Sequence, residues 1–165
     1  MHPALKVILD IQEYDMKMIR LMRLKKERLG ELEHIDSLRH ELQTQQTDKE
    51  KEIAELSRGI SVQEAKISEI KERLKKLEAR QNSVKKVDEF NALTQEMTSS
   101  ERERIATEQI TSDMIDKRNL EEEILEKIKE SLLQSEESSR KLADEFIQAL
   151  NTSLSADQRE YLFGK

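Results

Sequence analysis

The stretch Arg80-Gln81-Asn82-Ser83-Val84-Lys85-Lys86-Val87-Asp88-Glu89-Phe90-Asn91-Ala92-Leu93-Thr94-Gln95-Glu96 decides the fold of this chain. On both sides of it, apolar residues recur at spacings of three and four, which is the period of a helix with one apolar stripe. The stretch is the one place where two very long helical patterns are interrupted. It therefore predicts a hairpin instead of a single rod, and it is the part of the chain that we expect to contact another molecule.

The composition of the 165 residues argues against a globular core. Charged residues make up 39% of the chain and aromatic residues 3%, with no Trp, three Gly and one Pro. A high content of charged and aliphatic residues with helical periodicity is typical of coiled coils. The predicted fold class is all-α: a long antiparallel two-helix coiled-coil hairpin with a short C-terminal helical segment.

The charge distribution also favours a hairpin. Residues 1–87 hold 19 Lys and Arg against 16 Asp and Glu, so their net charge is +3. Residues 88–165 hold 10 basic against 19 acidic side chains, so their net charge is −9. Opposite net charges favour pairing of the two halves with each other over parallel pairing of identical helices.

The pattern predicts four segments. The first long coiled-coil helix covers residues 3–81, the hairpin tip 82–87 and the second long helix 88–152, with Asp88 as the N-cap of the second helix. Residues 153–165 are predicted to form a short helix that leads to a missing or absent zinc-binding module.

The predicted stripes differ in quality along the chain. The stripe of the second helix is weak at its centre. Gly30 and Gly59 are candidate bends, because glycine weakens a helix. The polar run 43–49 is interpreted as a layer of polar side chains between the helices that fixes their register. The alternative is that the helices open there for a functional reason.

The predicted stripes consist of apolar residues at spacings close to three and four. The first stripe is Ile8, Ile11, Met18, Met22, Leu29, Leu32, Ile35, Leu38, Leu42, Ile53, Leu56, Ile60, Ile67, Ile70, Leu74 and Leu77. The second is Phe90, Leu93, Met97, then irregularly Ile105, Ile110, Met114 and Ile115, then Leu125, Ile128, Leu132, Leu142, Phe146 and Ala149.

No catalytic constellation is recognisable, so we do not expect an enzyme. The three histidines, His2, His34 and His40, are not spaced to share one helical turn, and there is no cysteine, so no metal site or other cofactor is expected in this chain. No apolar run approaches the roughly 18 residues needed to span a bilayer. The N-terminus lacks the pattern of a signal peptide, and we expect a cytoplasmic protein.

The first helix is basic where it approaches the tip. Such charge at the end of a hairpin could meet nucleic acid or an acidic protein face. It also suits a helix C-terminus, because the helix dipole favours cations there. Phe90 is the one aromatic residue nearby, so reading of an RNA sequence by base stacking is not expected. The basic residues are Lys66, Lys71, Arg73, Lys75, Lys76, Arg80, Lys85 and Lys86.

The N-terminal part of the first helix carries more apolar residues than packing against a single partner helix requires. We expect this surface to be covered by the segment 154–163, by a second copy of the chain or by a further domain. Because methionine adapts readily to a partner surface, self-association into a homodimer is one option, and monomer and dimer stay open. The residues concerned are Tyr14, Met16, Met18, Ile19, Leu21 and Met22.

Three separated stretches resemble one family. They are Leu9–Asp15, the tip with Asn82, Val84 and the run Glu89–Glu96, and Leu120–Leu125. Their order and spacing are similar to those of the bacterial coiled-coil proteins with a C-terminal four-cysteine zinc ribbon, the group that contains the flagellar regulator FlgZ. The chain departs from that pattern in Lys85-Lys86 and in having no cysteine, so zinc is expected only if the protein continues past Lys165 into a ribbon.

The resemblance implies a non-enzymatic adaptor with a chaperone-like role. Family members are linked to the transcription factor sigma-54 and to the control of flagellar or type III secretion genes, so the expected partners are sigma-54 and secretion-apparatus proteins. The alternatives are a stalk-like coiled coil of a type III secretion ATPase and nucleic-acid binding through the basic tip. The predicted partner-binding residues of the tip are Asn82, Val84, Lys85, Lys86, Glu89, Phe90, Ala92, Leu93 and Glu96.

Overall fold

The computed structural model describes residues 2–153, and these residues form two long helices. Helix α1 runs Pro3–Ser83 and helix α2 runs Val87–Ser153. No strand occurs among the described residues. The prediction of an all-α helical hairpin is confirmed. The observed α1 extends two residues beyond the expected 3–81, and α2 begins one residue before the expected 88–152. The short helix expected in 153–165 lies, after Ser153, outside the described residues.

The chain divides into two compact units. One consists of Met1–Thr44 with Ile128–Lys165, and the other of Gln45–Lys127. In the second unit Lys49 meets Glu121, Arg73 meets Glu103 and Gln81 meets Thr94. In the first, Arg28 meets Glu145 and Arg39 meets Glu136. In both units the number of the α2 residue falls as that of the α1 residue rises, so the helices are antiparallel.

The seam of the 45–127 unit joins an apolar face of α1 to a largely polar face of α2. Ile70 is completely buried, and Ile60 and Leu77 are buried with it. On α2, spacings of three and four continue without a break through the centre, where polar and short side chains hold most of the seam positions. The inward α2 residues are Leu93, Met97, Ser100, Arg104, Thr107, Thr111, Met114, Arg118, Glu121 and Leu125.

Two isoleucines assigned to the predicted α2 stripe lie outside this seam. Ile105 is 56% exposed and Ile110 is 50% exposed. The seam uses Thr107 and Thr111 instead, whose hydroxyls donate to the carbonyls of Glu103 and Thr107 at 2.8 and 2.7 Å. Because each buried hydroxyl is satisfied within its own helix, its burial is not penalised as that of an unpaired polar group would be.

A charged layer crosses the seam within the predicted polar run. Lys49 Nζ lies 2.5 Å from a carboxylate oxygen of Glu121 and 2.8 Å from one of Glu52. The hydrogen bonds to Glu121 and then Glu52 raise the pKa of Lys49, and the bond to Lys49 lowers the pKa of Glu52. Gln46 occupies the preceding half-buried position. A polar layer of this kind can fix the register of paired helices, and that role for the run 43–49 stays a prediction.

The two predicted bends do not interrupt α1, which remains helical through both glycines. Gly59 is half-buried, and a Cβ atom built on it would overlap Cε of Met114. Around Gly30 no atom lies within 4 Å of such a Cβ. Gly59 therefore makes room for a side chain of α2, while Gly30 has no such role.

In the other unit, several residues of the predicted α1 stripe are exposed. Leu21 is buried and Leu32, Ile35 and Leu42 are half-buried, but the intervening seam positions are held by Arg28 and Arg39. Both arginines are half-buried and contact carboxylates of α2. The prediction that apolar residues alone form the α1 stripe was wrong here, because long basic side chains can lie along a seam and keep their charged ends in water. The exposed members of the predicted stripe are Ile8, Ile11, Met22, Leu29 and Leu38.

The opposite charges of the two halves meet across the helices. Ion pairs between a cation of α1 and a carboxylate of α2 occur in both units, with nitrogen–oxygen distances between 2.5 and 3.9 Å. This is the arrangement that the net charges of the halves predict. No helix among residues 2–153 is long and apolar enough to cross a membrane.

Candidate functional site: the hairpin tip

The tip is a three-residue turn between the two helices. Helix α1 ends at Ser83, and residues 84–86 are not helical. The backbone N–H of Val84 donates to the carbonyl of Gln81 at 3.4 Å, and the N–H of Phe90 donates to the carbonyl of Lys86 at 3.0 Å. The carbonyl of Lys86 thus accepts the first hydrogen bond of α2, so Lys86 stands at the N-cap position. The expected cap, Asp88, lies in the first turn, where the helix dipole favours its carboxylate.

Side-chain hydrogen bonds hold the turn together. Gln81 Nε2 donates to Thr94 Oγ1 at 2.7 Å, and this bond joins α1 to α2. Thr94 Oγ1 in turn donates to the carbonyl of Phe90 at 3.0 Å, and Ser83 Oγ donates to the carbonyl of Arg80 at 3.0 Å. One of these bonds thus joins the helices beside the turn, and the other two lie within the ends of α1 and α2.

The residues predicted to bind a partner divide into two groups. Leu93 is buried with 5% exposure and Val84 is half-buried, so both serve the packing of the tip. The remaining members are exposed and available to another molecule: Asn82, Lys85, Lys86, Glu89, Phe90, Ala92 and Glu96.

Two apolar side chains are exposed at the start of α2. Phe90 occupies the last seam position before the turn and is 47% exposed, and Val87 is 73% exposed. Residues three apart lie on neighbouring positions of one helix surface, so the two form a small apolar patch. Val87 was not among the predicted binding residues, although its spacing from Phe90 could have indicated it.

The basic residues near the tip are only partly available. Lys66 and Arg73 contact Glu103, Lys71 contacts Glu108, and these bonds join the helices. Lys76 contacts Glu72. Within residues 2–153, no ion pair involves the other four cations, which are all exposed: Lys75, Arg80, Lys85 and Lys86.

Other chemistry is sparse in the part of the chain that the structure describes. His2, His34 and His40 are exposed, and no two of them are spaced to lie on one turn of α1. Among residues 2–153 no three His, Cys, Asp or Glu side chains are grouped so as to hold a metal ion. Since the chain has no cysteine, its own residues do not fit a four-cysteine zinc site.

Comparison with known proteins gives one informative match. No protein-family model and no curated protein matches the chain. A solved structure, that of CT398 from Chlamydia trachomatis, is 42% identical, with a TM-score of 0.67 over 97% of this chain and 72% of that one. The chain belongs to the CT398 family. More than a quarter of the Chlamydia CT398 chain lies outside the match, so the similarity concerns only the matched part of that protein.

Proposed function

We propose that this chain is a non-enzymatic adaptor of the cytoplasm that binds a protein partner through its hairpin tip. The partner class proposed is the transcription factor sigma-54, components of the flagellar or type III secretion apparatus, or both. The resemblance of the tip motif to the zinc-ribbon coiled-coil proteins supports this choice of partners. The proposal for this chain concerns the helices alone, without zinc.

The observation that carries the proposal is the exposed apolar pair, Val87 and Phe90. Packing of the seam buries Leu93 one turn later, but it leaves nearly half of Phe90 and most of Val87 in water. Large exposed apolar groups on a helix are the kind of anchor that protein interfaces use. The cations Lys85 and Lys86 precede the pair directly and can add charge selection at the rim of such a contact.

The paired charges make nucleic acid a weaker candidate. Half of the eight basic residues near the tip are already engaged with carboxylates of the same protein. Binding to the phosphate backbone draws its affinity from unpaired cations and the release of counterions. An apolar pair with four remaining cations is better suited to a protein surface.

The test is a binding titration of the purified chain with sigma-54, and in parallel with secretion-apparatus proteins. The double variant V87A/F90A removes the patch and should weaken binding by at least about tenfold. The matched control is V62A/I110A, which removes apolar side chains of similar exposure elsewhere on the same unit (65% and 50%). Circular dichroism confirms that both variants remain helical.

The outcomes separate the candidates. Loss of binding in V87A/F90A but not in the control supports the tip, and reversal of charge in K85E/K86E then measures the electrostatic part. Equal affinity for all variants contradicts a tip interface. If the chain does not bind sigma-54 but alters the activity of a secretion ATPase, the alternative of a stalk-like coiled coil replaces the adaptor proposal.

A further inference from the structure

Helix α1 carries a second apolar stripe near its N-terminus, beside the seam that packs on α2. Its positions follow strict spacings of four and three, which is the heptad pattern of a coiled coil. The large apolar members Ile8, Ile11, Met22 and Leu29 are between 50% and 65% exposed. The complete stripe, called the N-terminal stripe below, is Ala4, Ile8, Ile11, Asp15, Met18, Met22, Lys25 and Leu29.

The intramolecular seam does not use this stripe fully. Met18 is half-buried and belongs to both faces, but Met22 is the most exposed apolar residue of the stripe at 65%. A groove runs along the second half of the stripe, and residues that line it include Met18, Met22, Lys25 and Leu29. An apolar groove with one heptad face exposed is a surface that another helix can fill.

The order of residues in the stripe identifies the helix that fits it. About a two-fold axis at the level of position 20, Ile11 faces Leu29 of a second copy, and Met18 faces Met22. The two charged positions of the central stripe then face each other as well, because Asp15 of one chain meets Lys25 of the other. The stripe is therefore complementary to its own antiparallel copy.

The heptad positions agree with this alignment. In an antiparallel coiled coil, an a position of one helix packs against a d position of the other. With Ile8 as an a position, Asp15, Met22 and Leu29 are also a positions, whereas Ile11, Met18 and Lys25 are d positions. Each of the three pairs in the alignment joins an a to a d position. Two-fold symmetry repeats every pair, which gives six layers over roughly 27 Å of helix.

The distribution of charged residues over the first 30 positions of the chain supports the same antiparallel orientation. Residues 3–15 hold one basic and three acidic side chains, whereas residues 16–30 hold six basic and one acidic. About the axis at position 20, residues 10–15, with three acidic and no basic side chains, face residues 25–30, with three basic and one acidic. Residues 16–24, with three basic side chains, face their own copy in either orientation and do not distinguish the two. Parallel pairing would place the basic parts side by side and oppose Lys25 to Lys25. Complementary charge selects the orientation of helix pairs in this way.

We propose that the N-terminal stripe is a homodimer interface in which α1 pairs antiparallel with α1 of a second copy. Ile11 packs against Leu29, Asp15 against Lys25 and Met18 against Met22 across the two-fold axis. Lys25 already has an interaction within its own chain, which the bond across the dimer supplements or replaces. The proposal is independent of the tip and of its partner.

The charged pair provides a swap test by sedimentation equilibrium of the full chain across a range of concentrations. The unmodified chain should dimerise. D15K places two lysines opposite each other, and K25D places two aspartates opposite each other, twice per dimer in each case. Each single variant should raise the dissociation constant by at least about tenfold. The double variant D15K/K25D restores opposite charges and should recover most of the affinity.

Matched controls are D10K and R20D, which make comparable charge changes on α1 outside the stripe. They should leave the dimer intact. A chain that stays monomeric at every concentration overturns the proposal, and so does a dimer that neither D15K nor K25D weakens. If the full chain is monomeric but dimerises when residues 154–165 are removed, that segment is the occupant of the stripe and the proposal fails.

A disulfide experiment tests the orientation directly, because the chain has no cysteine of its own. Under oxidising conditions, a mixture of M18C and M22C chains should form cross-linked heterodimers, since these positions share a layer and bring their Cβ atoms within bonding range. Either variant alone should cross-link poorly. Efficient cross-linking of M22C with itself, and poor cross-linking of the mixture, would indicate a parallel pair and contradict the proposal.

Discussion

At the scale of single residues, the two glycines of α1 look alike in sequence and differ in structure. Either would be a candidate for replacement by alanine, which is better in a helix by about 1 kcal/mol. Only Gly59 faces a side chain of the opposite helix, because its missing Cβ leaves space for Met114. The sequence offered no means of telling them apart, since the difference depends on which α2 residue lies opposite.

We predict that G30A stabilises the protein by up to about 1 kcal/mol. G59A should stabilise it less or destabilise it, because Cε of Met114 must leave its place. In an M114A background the obstacle is gone, and G59A should recover the gain of about 1 kcal/mol. Urea denaturation followed by circular dichroism measures all four variants.

Equal effects of G30A and G59A in the unmodified chain would show that Met114 moves aside without cost. A gain from G59A that is no larger in the M114A background would lead to the same conclusion. In either case the close contact between Gly59 and Met114 would not affect how the two helices pack.

At the scale of the helices, the sequence predicted the seam of α1 between Ile53 and Leu77 and missed the middle of α2. The apolar heptad between Ile53 and Leu77 is visible in the sequence and is the seam of the structure. The central α2 seam, by contrast, consists of Thr107, Thr111 and their polar neighbours, which hydropathy does not mark as inward. Their hydroxyls are satisfied by carbonyls of the same helix, so only the position opposite α1 shows that they are buried.

The same feature explains the isoleucines that were misassigned. Ile105 and Ile110 are apolar but lie off the heptad that Leu93 and Leu125 define. A search for spacings of three and four that admits serine, threonine and charged residues follows the seam without a break. The tip motif was located from the sequence alone, but the division into buried Leu93 and exposed Phe90 needed the packing of the helices.

Substitution of isoleucine by alanine distinguishes the two faces. I70A removes a completely buried side chain, and we expect it to lower the free energy of unfolding by about 2–5 kcal/mol. I110A removes one that is half exposed, and its effect should stay within about 1 kcal/mol. Urea unfolding of both variants under one condition provides the comparison. A larger loss in I110A than in I70A would contradict the seam described above.

At the scale of the whole molecule, burial differs between the two units. Of the buried apolar residues among residues 2–153, the unit 45–127 contains Ile60, Ile70, Leu77, Leu93 and Leu125. The other unit contains Leu21 and Ile128. Because buried apolar contacts oppose local opening, the two units should differ in how often their backbone hydrogen bonds break.

Hydrogen exchange followed by mass spectrometry should show this difference. Amides of residues 45–127 should exchange more slowly than those of residues 2–44 and 128–153. The measurement belongs at high dilution, because pairing of the N-terminal stripe between copies would protect part of the second group. Uniform protection along both helices at high dilution would indicate a single cooperative structure and contradict this prediction.

The three-residue turn also has a consequence for the order of folding. Gln81 and Thr94 are 13 residues apart and Arg73 and Glu103 are 30 apart, whereas Arg28 and Glu145 are more than 100 residues apart. The entropy of closing a loop rises with its length, and each pair formed near the turn shortens the loop that the next pair must close. Folding should therefore begin at the turn and close the helices progressively toward their free ends. During synthesis on the ribosome, the first residues of α1 therefore remain unpaired until almost all of α2 has been made.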